Sequence, residues 1–341
     1  MSQLLVHQYI GPRRASPSRP ALPLVLKRIT LAPELTEEDL SYRIDKIHKI
    51  HEGEYTTAFR ASLIGNPSGP LNVVLKTDVN ARYPRPDEFR YEAQQYEVTL
   101  PLLQGLLIPM CYGLFQATMY NKLVSVLVLQ DCGEPIDYRD EALSEAARFS
   151  VFRLAEYLHR CGYKHGDIAP RNVLLDSSGG LRLIDLEHLI PHDCGRKMNL
   201  TVGDIQPSVM DFGCPELFDV ALSLQLWHPR TVCFCGYDIP IHQFTPGNER
   251  NIVRVTEQGL RDTVEKQDRL ISRARDTIAA VQEVRAEIAL VPDKCRVFVR
   301  PPSLLEELGQ LEADGKLQVL RMYGALERMG EDPGTEGERT V

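Results

Sequence analysis

The stretch that decides the fold reads His165-Gly166-Asp167-Ile168-Ala169-Pro170-Arg171-Asn172, and after a short β-like run it is followed by Leu183-Ile184-Asp185-Leu186-Glu187. An Asp, an Asn and a second Asp stand here at fixed separations. Moving a phosphoryl group from a nucleotide to a hydroxyl needs one carboxylate to accept or orient the proton of the attacking hydroxyl. It also needs two oxygen ligands that hold magnesium against the phosphates. Asp167 suits the first role, and Asn172 with Asp185 the second. A short polar pattern recurs by chance, so its surroundings must carry the reading.

The surroundings agree with it. Upstream, Ala142 to Cys161 places Leu143, Ala146, Val151, Leu154, Ala155 and Leu158 at helical spacing, and Gly162 stops the helix just before the loop. Downstream, Asn172 to Asp176, a Ser-Ser-Gly-Gly turn and Leu181 to Ile184 read as a β-hairpin. The chain therefore runs helix, polar loop, hairpin, Asp185.

In that order and with those residues the chain resembles the eukaryotic-type protein kinase-like superfamily, most closely the divergent kinase-like proteins of fungi whose loop also reads HGD and ends in RN. The resemblance covers roughly residues 40 to 220. It implies an α+β, bilobal protein kinase-like fold, with a five-stranded antiparallel N-lobe sheet and one helix over residues 39–132 and a mainly helical C-lobe over 133–250. The strands are expected from the spacing of Ile44, Ile47 and Ile50, from Tyr55 to Leu63, Leu71 to Lys76, Met110 to Gln116 and Leu123 to Leu129, with a charged helix from Asp87 to Leu103. A helix near Pro215 to Trp227 follows the hairpin. The extension over 251–329 holds a long amphipathic helix from Asn251 to Leu290 and a later one from Ser303 to Arg328.

The resemblance also assigns a nucleotide site for ATP and Mg2+. Lys76, at the end of Val73-Val74-Leu75, takes the place of the lysine that contacts the α- and β-phosphates, and Glu92 is its expected partner, with Glu88 and Glu97 as alternatives. The phosphate cover, His51 to Ala58, keeps only Gly53 of three expected glycines and adds Glu52 and Glu54 near an anionic ligand. Leu129 takes the gatekeeper position, the backbone of Gln130 and Cys132 would meet the base edge, and Ala58 and Leu174 would sandwich the ring. Gly166 stands where many kinases carry the arginine that senses a phosphorylated activation segment. Arg171 is positioned to set positive charge against the transferred group. The metal motif reads Asp185-Leu186-Glu187, with an acid in place of glycine. Asp211-Phe212-Gly213 spells the usual metal motif but lies too far beyond Asn172 to serve as one.

Composition bounds the rest. A 43% hydrophobic, 25% charged chain of 341 residues is an ordinary globular protein, and a net charge of −8 with no dense basic face argues against a nucleic-acid partner. Apolar runs fall short of the roughly 20 residues a membrane span needs, and Met1 to Ile10 lacks the features of a secretory signal, so a cytoplasmic protein without membrane attachment is expected. The eight cysteines contain no CxxC pair and read as reduced thiols. Residues 1–38, with Pro12, Pro17, Pro20 and Pro23 among three arginines, read as a partly disordered extension, and 330–341 as a disordered tail. The expected acceptor is a hydroxyl, on a protein first and on a small molecule second, as in aminoglycoside- and choline-kinase-like enzymes. A non-catalytic pseudokinase scaffold, with a protein partner on the long helix, is the third reading.

Overall fold

A computed structural model describes residues 3–6, 24–31, 41–66, 69–79, 83–119, 121–138, 143–256, 264–290, 303–314 and 317. The Pro- and Arg-rich segment 11–23 and the tail 330–341 lie outside the described residues. The described chain falls into two compact units. The first combines residues up to Asp137 with Leu154–His192 and the segment from Pro302 onward, and the second combines Tyr138–Arg153 with Asp193–Pro301.

The first unit is built on β1 (Gln3–Val6), β2 (Leu24–Ile29), β3 (Ser41–Glu52), β4 (Thr57–Ile64), β5 (Leu71–Thr77), β6 (Cys111–Met119) and β7 (Lys122–Gln130). They close into a barrel in the order β1-β2-β6-β7-β5-β4-β3. Only the β1–β3 pair is parallel. The period of two is strict in β4, where Thr57, Phe59, Ala61 and Leu63 are buried and the residues between them are half-exposed. With Leu4, Val6, Leu26, Ile44, Val73, Leu75, Phe115, Val126 and Val128 they fill the barrel.

The five expected strands are β3 to β7, but the sheet is not five-stranded. The segment expected to be an extension contributes β1 and β2, which pair with β3 and β6 and leave neither with an open edge. Closure hides backbone groups that a five-stranded sheet would leave unpaired.

Alternation also sets which residues leave the barrel. On β5, Val73, Leu75 and Thr77 point in, so Lys76 points out, directly across from Ala58 in the β4–β5 register. Helix α1 (Pro86–Gln94), which packs on β6 and β7, starts with proline at its first position and buries Phe89, Glu92 and Ala93. The expected helix to Leu103 is interrupted: a π turn (Gln95–Thr99) and a 3-10 turn (Pro101–Leu103) follow α1, with Leu100 outside the helical region at φ −124°. Pro101, which has no amide hydrogen, ends the helical bonding.

Beyond β7 the first unit contains β8 (Glu134–Pro135), the second half of α2 (Glu145–Arg160), β9 (Tyr163–Lys164), β10 (Val173–Leu175), β11 (Leu181–Leu183) and β12 (Ile190–Pro191). Strands β11, β10 and β8 form one small sheet, and β12 and β9 another. The loop His165–Asn172 is therefore held between β9 and β10.

In the second unit, α3 (Val209–Phe212) is capped by Ser208, whose Oγ accepts from the Asp211 amide at 3.1 Å. The literal Asp-Phe-Gly is thus a helix end. Phe212 is buried against Phe218 and Trp227. Helix α4 (Pro215–Ser223) is followed by the hairpin β13 (Thr231–Phe234) and β14 (Tyr237–Pro240). The expected helix from Asn251 appears as α5 (Glu249–Thr256) and α6 (Val264–Leu290), with 257–263 outside the described residues. Ala274, Ile278 and Val281 of α6 pack on Ile252, Val253, Phe234 and Phe244, so this face of the long helix is occupied by its own unit. The last expected helix is α7 (Leu304–Ala313) of the first unit. There Arg160 donates to Glu307 at 2.7 Å.

Candidate active site

Every residue expected at the nucleotide lies in the first unit. Lys76 Nζ donates to Glu92 Oε2 at 2.8 Å and to Asp185 Oδ1 at 2.5 Å, with Glu187 at 4.0 Å. The three candidate acids on and after α1 are thereby sorted, for Glu88 pairs with Arg85 at 2.9 Å and Glu97 with Arg28 at 3.6 Å. Burial alone would lower the Lys76 pKa, but the charges of Glu92 and Asp185 outweigh it and hold the ammonium above its ordinary value. Burial would likewise raise Asp185, and Lys76 more than offsets it, leaving that carboxyl below its usual range. Glu92, fully buried, is pushed up by desolvation, which Lys76 only partly counters.

The loop before β10 is knitted to the segment that joins β11 to Asp185. His165, with no exposed surface, places Nε2 at 2.9 Å from the Ile184 carbonyl, and the Ile184 amide donates to the Asn172 carbonyl at 3.0 Å. Asn172 Nδ2 donates to the Asp167 carbonyl at 2.9 Å and to Asp167 Oδ2 at 3.0 Å. Its nitrogen is committed to Asp167, so its Oδ1 is the atom left for a cation. Asp185 is left-handed, at φ 67° and ψ 60°, a conformation Asp tolerates better than most residues. Arg171 donates to Asp167 Oδ2 at 2.5 Å, so its exposed guanidinium faces the candidate base rather than open space.

Gly166 explains itself in this geometry. It sits at φ 83°, and a Cβ there would lie 2.9 Å from the His188 carbonyl oxygen and 3.1 Å from the His188 Cβ. No arginine fits without moving the segment after Asp185. Gly166→Arg is expected to destabilise the protein by at least the roughly 1–2 kcal/mol of a left-handed side chain, read as a fall in thermal midpoint of roughly 2–8 °C.

The expected phosphate cover is a tight connection between β3 and β4, closed by the Gly53 amide on the Thr56 carbonyl at 2.8 Å. Gly53 itself does not line the cavity beneath, whereas Glu54, Tyr55 and Thr56 do. That cavity, about 140 Å³, is also bounded by Lys76, Arg85, Glu92, Asp185 and Glu187. Arg85 stacks on the Tyr55 ring at 3.7 Å, tying the cover to the start of α1.

At the expected hinge, Leu129 is 5% exposed. The Gln130 amide donates to the Met110 carbonyl while its side-chain oxygen accepts from the Met110 amide. Cys132 is buried, which pushes its thiol up to about 12. Leu174, on β10, is paired with Pro135 just after the hinge.

Two features escaped the sequence reading. Arg60 of β4 clamps the hinge from outside, donating to Asp131 at 2.7 Å, Glu134 at 2.5 Å and the Gly133 carbonyl at 2.8 Å. Tyr91 of α1 donates to the Leu189 carbonyl at 2.6 Å and so joins the helix carrying Glu92 to the segment after Asp185. Only the outward parity of Arg60 on its strand hinted at the first, and nothing local marked the second.

No family model matches the chain. It is similar to cGMP-dependent protein kinase 2 of Homo sapiens, 27% identical over 158 residues, 43% of this chain and 19% of the relative. Cyclin-dependent kinase 7 of Carassius auratus is 26% identical over 147 residues, 41% of each chain. A shorter match, 33% over 57 residues, is to the 2-5A-dependent ribonuclease of Mus musculus, covering 17% of this chain and 8% of the relative. The chain thus spans less than half the length of these curated relatives. These distant and partial similarities, two of them to proteins named as kinases, support a kinase-like superfamily. Among the described residues no helix is long and apolar enough to cross a membrane.

Proposed function

We propose that the chain is an ATP- and Mg2+-dependent phosphotransferase of bilobal, protein kinase-like architecture that passes the γ-phosphoryl group to a hydroxyl of a protein. The observation that carries this reading is the single ammonium of Lys76 bridging Glu92 and Asp185, together with an Asp167 whose carboxylate is held by Asn172 and Arg171. The protein acceptor is favoured by the names of two of the similar proteins, which are protein kinases.

In this reading Lys76 meets the α- and β-phosphates, and Glu92 keeps its chain extended toward them. The donor set fits magnesium, since the Asp185 carboxylate and the Asn172 side-chain Oδ1 are hard ligands and the Asn172 side-chain nitrogen is already turned to Asp167. Magnesium held there by Asp185 and Asn172 would supply neutralisation of the phosphate charge. Asp167 Oδ1 would orient the acceptor hydroxyl and take its proton as the hydroxyl oxygen bonds to the γ-phosphorus and the bond from that phosphorus to the β,γ-bridging oxygen breaks, with ADP leaving. Arg171 and Asn172, both on Oδ2, fix the direction of that carboxylate.

One observation favours the non-catalytic scaffold instead: the cavity of about 140 Å³ is smaller than the roughly 300–1,000 Å³ of most ligand sites. Thermal unfolding separates the two. With ATP and Mg2+ at about 100 times Kd, binding to the native state alone adds about 2.7 kcal/mol, expected here as an upward shift of several degrees. A midpoint that ATP with Mg2+ leaves unmoved supports the scaffold, and a shift without phosphate transfer to protein substrates sends the search to small hydroxyl compounds.

A further inference from the structure

The cavity beside Lys76 carries more acid than its cations balance. Of the two cations that line it, Arg85 is engaged by Glu88 at 2.9 Å and by the Tyr55 ring. Among the described residues Lys76 is then the only lysine or arginine in ion-pair reach of Glu92, Asp185 and Glu187, with His188 Nε2 3.6 Å from Glu187; leaving that imidazole aside, three carboxylates face one ammonium, a formal excess of two negative charges. Each of these carboxylates offers one oxygen within 4.8 Å of the others. Glu54, also in the wall, adds to the same sign.

A second observation concerns Glu92 alone. It is 1% exposed, and its Oε1 has no hydrogen-bond partner although its Oε2 is held by Lys76. A buried carboxylate oxygen without a donor is costly, and it asks for a ligand in the cavity it lines. A triphosphate cannot be that ligand, because its own charge would add to the excess. A small cation with a preference for carboxylate oxygen satisfies both the orphaned atom and the charge.

We propose that Glu92, Asp185 and Glu187 hold one divalent cation of the Mg2+ or Mn2+ class in the nucleotide-free protein, with Lys76 as its competitor. The new element is Glu187, the acid in place of glycine. It converts a lysine-bridged pair into a site whose charge matches a divalent ion. The inference deepens the phosphotransfer reading by setting an order, in which the cation is loaded first on Glu92 Oε1, Asp185 and Glu187, and Lys76, displaced from Asp185 but still held by Glu92 Oε2, is released to meet phosphate.

The test titrates Mn2+ into the full chain without nucleotide, following loss of the free-ion signal by electron paramagnetic resonance, for the wild type, Glu187→Gln and Lys76→Met. Far-UV circular dichroism melts establish that each variant is folded. One Mn2+ per chain is expected for the wild type, with affinity reduced about 10-fold or more in Glu187→Gln and increased in Lys76→Met, where the competing ammonium is gone. Wild-type protein that takes up Mn2+ only together with ATP overturns the proposal, as does unchanged affinity in Glu187→Gln or weakened binding in Lys76→Met. The two readings fail separately. Mn2+ uptake in a protein that neither binds ATP nor transfers phosphate leaves the cation site standing and removes the enzyme, whereas ATP-driven transfer with no uptake beforehand does the reverse.

Discussion

Asp167→Asn is expected to lower kcat for phosphate transfer by about 10²–10⁴-fold, the range associated with loss of one positioned general base, while KM for ATP changes by less than about threefold. The split follows from where Asp167 sits. Its Oδ2 is bound by Arg171 and by Asn172, and neither Lys76 nor Glu92 touches it. An amide of the same shape keeps a side chain in place but cannot accept the proton of the attacking hydroxyl. It also turns one of the two oxygens into a donor facing the Arg171 guanidinium or the substrate. Lys76→Met should show the opposite split, with weaker ATP binding as its first effect, because its contacts are to Glu92 and Asp185. The measurement is steady-state kinetics with an ATP titration at saturating acceptor. Equal losses in kcat and in ATP affinity for Asp167→Asn would mean that the loop has moved as a whole, and the base assignment would fall with it.

Much of this site can be read along the chain because it is local. Asp167 and Asn172 lie in one loop, Asp185 follows one hairpin later, and a three-residue 3-10 turn at Pro170–Asn172 sets their separation without help from distant elements. Lys76 was legible through the resemblance, as the lysine that ends the apolar run Val73-Val74-Leu75, and strand parity, with Val73 and Leu75 inside the barrel, explains why it points outward. What escaped is what depends on pairing at long range. Strands β1 and β2 are four and six residues long and flank a Pro- and Arg-rich stretch, so their local signal is weak. Their stability comes from β3 and β6, which no local window contains. The Arg60 clamp depends in the same way on how β7 leads into the hinge. At the phosphate cover, where only Gly53 of three expected glycines is kept, the connection is a short turn in which Gly53 is not left-handed.

The hinge offers the largest expected effect on stability. Gly133 follows the residues expected at the base edge, adopts φ 92°, and lies so close to β10 that an added Cβ would sit 2.1 Å from the Leu175 carbonyl oxygen and 2.8 Å from the Asp176 Cα. Both obstacles are backbone atoms, one at the paired end of β10 and one just beyond it, with no rotamer to change. Gly133→Ala is therefore expected to cost about 1–2 kcal/mol for the left-handed conformation and more again for the displaced strand, on the order of 3–5 kcal/mol in all. Gly162→Ala is the control, because Gly162 adopts φ 84° with nothing within 4 Å of its Cβ position, so only the backbone part applies. Urea unfolding of the two variants separates the contributions. A Gly133→Ala loss no larger than that of Gly162→Ala would show that β10 yields freely. A larger loss, accompanied by weaker ATP stabilisation in Gly133→Ala alone, ties the hinge backbone to the nucleotide, since Gly133 also offers its carbonyl to Arg60 and fixes where Gln130 and Cys132 lie.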